Sequence, residues 1–304
     1  MKGGKEHVEI SRKMEKAAAL IKGMTDLPTI PAVATQVLAL LDQPDVDIDQ
    51  VVELIFTDQV MAARVLKMVN SPLYRPANEI TSLKGALVYL GLRHIREFIL
   101  TCSFIQSFEG KDGVLGIQPF WEHSFGVGIV ARLIAEKVGY HDTEKAYIGG
   151  VIHDIGEVFL SYYLQEDFQK IVDSIKDKPY QLVRAEEEFL GTTHCEIGLC
   201  LADAWHFPDD YKEVIAHHHA PQEAKNAPRL TAIVNLADLF CTVRNLDYGG
   251  KEWVSFSLAD EPAWGMLHGS DSKLGSLDIE RFCYELDDQI EEIQQLVGNI
   301  FKDK

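Results

Sequence analysis

The tetrapeptide His153-Asp154-Ile155-Gly156 stands inside a histidine-rich stretch that runs from His123 to Asp238. Eight of the eleven histidines fall there: His123, His141, His153, His194, His206, His217, His218 and His219. An imidazole beside a carboxylate, with further histidines returning from later segments, offers the mixed nitrogen and oxygen donors that zinc, iron and manganese accept. Single histidines are usually explained by a local hydrogen bond. This many together ask for a collective explanation, and a metal centre is the simplest.

Outward from that stretch, the hydrophobic pattern is helical throughout. Residues 8–24 place Ile10, Met14, Ala17, Leu20 and Ile21 on one face. Pro31, just after Thr29, suits a first helical turn, and Val33, Val37, Leu38 and Leu41 make the apolar stripe that follows. Asp47 and Asp58 are placed to cap two further helices, and Asn70-Ser71-Pro72 stops the second. The segment TSLKGALVYLGLRHIREFILTCSF predicts two short helices broken at Gly91. No alternating strand pattern occurs in residues 1–110. The glycine-rich, polar residues 107–118 mark a lobe boundary.

Beyond it, a helix starting near Pro119 carries His123, and Thr143 to His153 forms the next, with Gly156 expected to turn the chain sharply after the His-Asp pair. Residues 157–190 give two or three helices, one starting at Pro179. Helices from His194 to Trp205, Asp209 to His219 and Arg229 to Arg244 follow. Residues 247–275 read as irregular, and Ser276 as the cap of a final amphipathic helix. The expected fold is all-α, with two helical lobes: residues 1–110, and residues 119–304 as an HD-like, metal-binding lobe.

Adjacent helical residues point about 100° apart, so His153 and Asp154 do not share one core stripe, but at a helix end both can reach a single ion. Asp238 sits on an otherwise apolar helix, where a carboxylate is costly to bury unless paired or coordinated. His94, His141 and His206 read as ordinary surface or helix-end residues. The five cysteines form no CxxC, and four of them sit in apolar helical contexts, which reads as buried thiols in a reducing cytosol. No apolar run has the length to span a bilayer. The formal net charge of −18 is uneven, with 12 basic against 13 acidic residues in 1–110 and 17 against 34 in 111–304. Such a surface repels phosphate backbones, so no nucleic-acid partner is expected.

His153-Asp154-Ile155-Gly156 resembles the signature of the HD superfamily of metal-dependent phosphohydrolases. The ordered series His123, His153-Asp154, His194, His218-His219, Asp238 is similar to the ligand series of its HD-GYP branch. HSFGVGIVARLIA (123–135), HCEIG (194–198) and IVNLADLF (233–240) are the segments that carry it. In the N-terminal half, LPTIPAVATQVLALLDQPD (27–45), TDQVMAARVLKMVNSPLY (57–74) and ITSLKGALVYLGLRHIREFIL (80–100), together with HHHAP (217–221), resemble the HDOD family, the HD-related output domain of bacterial signalling proteins. The resemblance implies a helical lobe joined to a degenerate HD lobe. It also implies a cytoplasmic location and a divalent transition metal (iron, manganese or zinc), one or two ions held by His123, His153, Asp154, His194, His218, His219 and Asp238.

Departures from the catalytic pattern shape the functional expectation. Glu157 stands where active HD-GYP relatives carry the lysine of HDIGK. APQEAKNAPRL follows the histidine triplet without a Gly-Tyr-Pro, and Pro119 sits where some relatives supply a glutamate. The resemblance therefore implies a signal-transduction output protein working through signalling protein partners, with a retained metal site and weakened catalysis. The alternative is an active metal-dependent phosphohydrolase or phosphodiesterase, which leaves room for a phosphorylated or cyclic-nucleotide ligand.

Overall fold

The structure, a computed structural model, describes residues 2–23, 31–41, 43–108, 113–175, 182–246, 257–268 and 279–301. Among these residues there are fifteen α-helices and two short 3-10 turns, with no strand. The chain divides into two compact units, and each draws on segments far apart in sequence. One comprises Met1–Leu27 and Lys111–Leu277; the other comprises Pro28–Gly110 and Asp278–Lys304. The division differs from lobes at 1–110 and 119–304, because the helices near the two ends of the chain are exchanged. Helix α1 (Lys2–Lys22) goes with the histidine-bearing unit, and the final helix goes with the other.

The smaller unit holds α2 (Ala32–Leu41), α3 (Ile48–Phe56), α4 (Gln59–Val69) and α5 (Leu83–Ser107). The expected caps are in place: Asp47 accepts from the Asp49 N–H at 2.9 Å, and Asp58 from the Met61 N–H at 3.0 Å. Such caps contribute about 1 kcal/mol each. Gly91 breaks α5 with φ 77°, a conformation open to glycine at little cost.

The larger unit holds α6 (Ile117–Lys137), α7 (Thr143–Ile152), α8 (Ile155–Tyr163), α9 (Gln165–Ser174), α10 (Leu182–Leu190), α11 (His194–Ala204), α12 (Asp209–His217), α13 (Pro228–Val243) and the short α14 (Pro262–Leu267). Helices α6 and α7 pack closely where Gly128 meets Gly150; a Cβ on Gly150 would lie 2.7 Å from the Gly128 Cα. Trp121 and Phe125 of α6 are fully buried, each contributing roughly 2–3 kcal/mol of apolar burial. Helix α13 lies against both α6 and α7. The smaller unit is completed by α15 (Ile279–Phe301), which buries Phe282, Leu286, Ile290, Ile293 and Val297 at helical spacing and packs on α4.

The segment expected to be irregular is partly ordered, with a 3-10 turn at Leu258–Asp260 leading into α14. Pro262 at the first helical position accounts for that start. The expectations for Thr29, Pro179 and Ser276 lie outside the described residues. No helix of the described residues is long and apolar enough to cross a membrane.

Candidate metal centre

Each residue of the series is carried by a different part of the larger unit. His123 lies on α6, His153 and Asp154 at the junction of α7 and α8, and His194 at the start of α11. His218 and His219 follow α12, and Asp238 is on α13. The start of α11 is fixed by a capping box: Cys195 N–H donates to Thr193 Oγ1 at 3.2 Å and Thr193 N–H to Glu196 Oε2 at 2.8 Å.

Gly156 does not turn the chain as expected, since its φ is not positive. Its role is close approach. A methyl there would overlap the carbonyl oxygen of His194, and Gly198 of α11 faces it with a Cβ position 3.4 Å from the Gly156 nitrogen. The two glycines let α8 and α11 pack closely, which brings His194 up to Asp154.

Four imidazoles are oriented the same way. His123 Nδ1 lies 2.7 Å from the Leu246 carbonyl, His153 Nδ1 2.7 Å from the Gly150 carbonyl, and His218 Nδ1 3.1 Å from the Ile215 carbonyl. His194 Nδ1 lies 2.8 Å from Glu186 Oε2. These oxygens only accept, so in each ring Nδ1 donates and Nε2 is the atom left to coordinate.

All four Nε2 atoms converge on Asp154. Its Oδ2 is 2.9 Å from His153 Nε2 and 3.6 Å from His123 Nε2. Its Oδ1 is 3.1 Å from His218 Nε2 and 3.7 Å from His194 Nε2. Asp238 Oδ1 stands 3.4 Å from His123 Nε2. His194 Nε2 is 3.1 Å from His219 Nε2 and 3.4 Å from His218 Nε2. The Asp154 carboxylate thus separates two donor groups: His123, His153 and Asp238 on one side, His194, His218 and His219 on the other.

Nitrogen lone pairs crowded against a carboxylate repel one another unless protons or cations lie between them. His153 Nε2, wholly buried, makes no hydrogen bond. The donor set fits a divalent metal, which would supply Lewis-acid chemistry when bound. Without metal, protons take part of that role. Burial alone would push the His123 imidazole down, yet Asp154 and Asp238 hold it well above its ordinary value of 6.5. Burial would likewise raise the Asp238 carboxyl, but His123 brings it to about 2. Burial lowers His218, which stays neutral.

The structure brings together every residue predicted as a ligand. It also adds one that the sequence reading missed. Glu186, fully buried on α10, accepts from both the backbone N–H and the Nδ1–H of His194. It stands in the run Glu186-Glu187-Glu188, whose other members make surface pairs with Lys13 and Arg184, so nothing in the local sequence singles it out. Glu157, also buried, lies 3.7 Å from the same Nδ1 of His194, and its carboxylate forms with Asp154 and His194 a further group of donor atoms within 4.8 Å of one another. Cys195, taken from the sequence for a core thiol, has its Sγ 3.4 Å from His194 Nε2. His94 bonds the Leu90 carbonyl, and His206 adopts a φ of 56° past the end of α11.

Fold and site together define an all-helical protein with a buried histidine–aspartate centre of HD type. The HDOD domain family matches residues 27–221, and the chain belongs to that family. An HDOD domain protein of unknown function from Geobacter sulfurreducens has a similar structure, with 34% identity, a TM-score of 0.84, and coverage of 96% of this chain and 99% of that one. A Shewanella amazonensis protein provisionally described as a phosphohydrolase shares the fold at 21% identity and a TM-score of 0.71, with coverage of 93% and 98%. An uncharacterized protein of Treponema pallidum (strain Nichols) is 25% identical over 247 residues, 79% of this chain. The chain spans about half of that relative's length, 47%.

Proposed function

We propose that this HDOD protein is a regulatory, signal-transducing module that acts through protein partners, and that its HD-type centre holds one or two divalent transition-metal ions without efficient hydrolysis. The observation that carries the reading is the buried acid Glu157 beside His194, where the catalytic pattern has a lysine. A carboxylate there adds negative charge next to Asp154 and works against an anionic phosphoryl group. The burial of the centre supports the same reading. His153, His194 and His218 are 0% exposed, and among the described residues of the centre His219 and Asp238 are the more exposed, so a phosphoester would approach from their side. Metal would then order the larger unit, because its ligands come from α6, α7, α11, α12 and α13.

The experiment is elemental analysis of protein purified without added metal, followed by a phosphatase and phosphodiesterase panel with manganese or iron supplied. At least one bound equivalent and no turnover are expected, together with a melting temperature that rises on metal addition. Robust turnover would favour the phosphohydrolase reading, for which the similarity in fold to the Shewanella amazonensis protein is the motive. Absence of metal, with no stabilisation by added iron, manganese or zinc, would remove the metal from both readings.

A further inference from the structure

We propose that Cys195 is a metal ligand, completing with His194, His218 and His219 a four-coordinate site of three nitrogens and one sulfur for zinc or a similarly thiophilic divalent ion. The assignment rests on the metal-centre reading above and adds to it a residue and a choice of metal.

The spacing is that of a tetrahedral site. Zinc bonds of about 2.0–2.1 Å to nitrogen and about 2.3 Å to sulfur put neighbouring ligand atoms roughly 3.3–3.6 Å apart. Around His194 Nε2 the structure has Cys195 Sγ at 3.4 Å, His218 Nε2 at 3.4 Å and His219 Nε2 at 3.1 Å. All four candidate atoms lie within 4.8 Å of one another. Two of the imidazoles are held for the purpose, His194 by Glu186 and His218 by the Ile215 carbonyl, so their Nε2 lone pairs face the same point.

The fourth donor is equally well placed. Cys195 is the second residue of α11, buried, with its Sγ held beside His194 Nε2 by the capped start of the helix. On coordination the Sγ–H proton passes to solvent and the thiolate takes its place on the ion; no oxidant or reductant is needed. Thiolate disfavours manganese relative to zinc. Four protein ligands also close the coordination sphere, as in structural sites, whereas catalytic zinc keeps a position for water. This half of the centre would then stabilise the junction of α11 and α12 and leave any open position to the His123, His153 and Asp238 side.

The test is cobalt substitution of the full chain, metal-free and reloaded with Co(II). A near-ultraviolet thiolate-to-cobalt charge-transfer band is expected in the wild type and in Cys200→Ser, and its loss is expected in Cys195→Ser. Zinc-edge X-ray absorption of the wild type needs no variant and should show one sulfur at about 2.3 Å. Cobalt or zinc bound with a nitrogen and oxygen shell alone, or a charge-transfer band that persists in Cys195→Ser, overturns the role of Cys195 and leaves the metal centre standing. Failure to bind either ion overturns both.

Discussion

Glu186 Oε2 accepts two hydrogen bonds from one residue, from the backbone N–H of His194 at 3.0 Å and from its Nδ1–H at 2.8 Å. One buried carboxylate thus fixes the start of α11 and the orientation of an imidazole whose other nitrogen faces the metal site. Replacing it by alanine leaves both donors without this acceptor. Glu186→Ala should weaken metal binding about 10- to 100-fold and cost on the order of 1–3 kcal/mol of stability. Glu186→Gln, which keeps an acceptor oxygen, should recover much of the stability. Calorimetric titration and thermal melts of the two variants check this; equal metal affinity in wild type and Glu186→Ala would show that His194 does not depend on Glu186.

Gly156→Ala sets a methyl into the carbonyl oxygen of His194. Backbone cannot yield as a side-chain tip can, so α8 and α11 must move apart. A loss of about 3 kcal/mol or more is expected, accompanied by weaker metal binding because His194 and Asp154 separate. Gly265→Ala, where a Cβ meets nothing within 4 Å, is the control. A melting temperature for Gly156→Ala equal to that of the control would show that the close approach carries no weight.

Asp154 and Glu157 should behave differently although they are three residues apart. Asp154→Ala removes the carboxylate that all four Nε2 atoms face and should release metal from the His123, His153 and Asp238 side of the centre and lower stability. Glu157 approaches His194 at Nδ1, 3.7 Å away, the nitrogen that already donates to Glu186. Glu157→Lys should keep its metal and gain weak phosphodiester hydrolysis. Metal loss equal to that of Asp154→Ala would place Glu157 among the ligands.

Metal uptake should depend on pH through His123. Its pKa in the metal-free protein is raised above 6.5 by Asp154 and Asp238. Its ion pairs therefore contribute stability in full below about 6.5, and that contribution is lost as pH rises through the raised value. Asp238, depressed from 3.8 to about 2, loses its share only as pH falls through about 2. A metal must displace the His123 proton, so affinity should climb as pH rises above 6.5, with proton release on binding. His218, lowered by burial, adds no competition there. Calorimetry in buffers of different ionisation enthalpy measures the proton count; His123→Gln should release fewer protons than wild type.

Much of the centre is legible in sequence because its ligands are chemically uncommon on helices. Asp238 interrupts an apolar face, and His153-Asp154 cannot both serve a core stripe. Helix caps such as Asp47 and Asp58 are equally plain, since the interaction closes within three residues. What escapes is settled at long range. Glu186 resembles its solvated neighbours until α11 is brought beside it, and Gly156 looks like a turn until α8 meets His194. The placement of α1 and α15 is of the same kind. Lys13 pairs with Glu187, and the Lys16 ammonium donates to the Leu190 carbonyl, contacts that no local pattern announces.

The exchange of those helices has a consequence for how the chain is made. Arg75 pairs with Glu292, a contact that spans 217 positions and belongs to the smaller unit. That unit cannot close until residues 279–301 have been synthesised, long after its first helices have formed. The larger unit waits in the same way for α11 before α1 can dock. During synthesis, α4 has its apolar surface uncovered by α15 for roughly ten seconds or more, at ordinary rates of about 5–20 residues per second. A nascent chain with that interval of exposure is a natural client for chaperones, and release of the chain at 110 would leave a fragment without its closing helix.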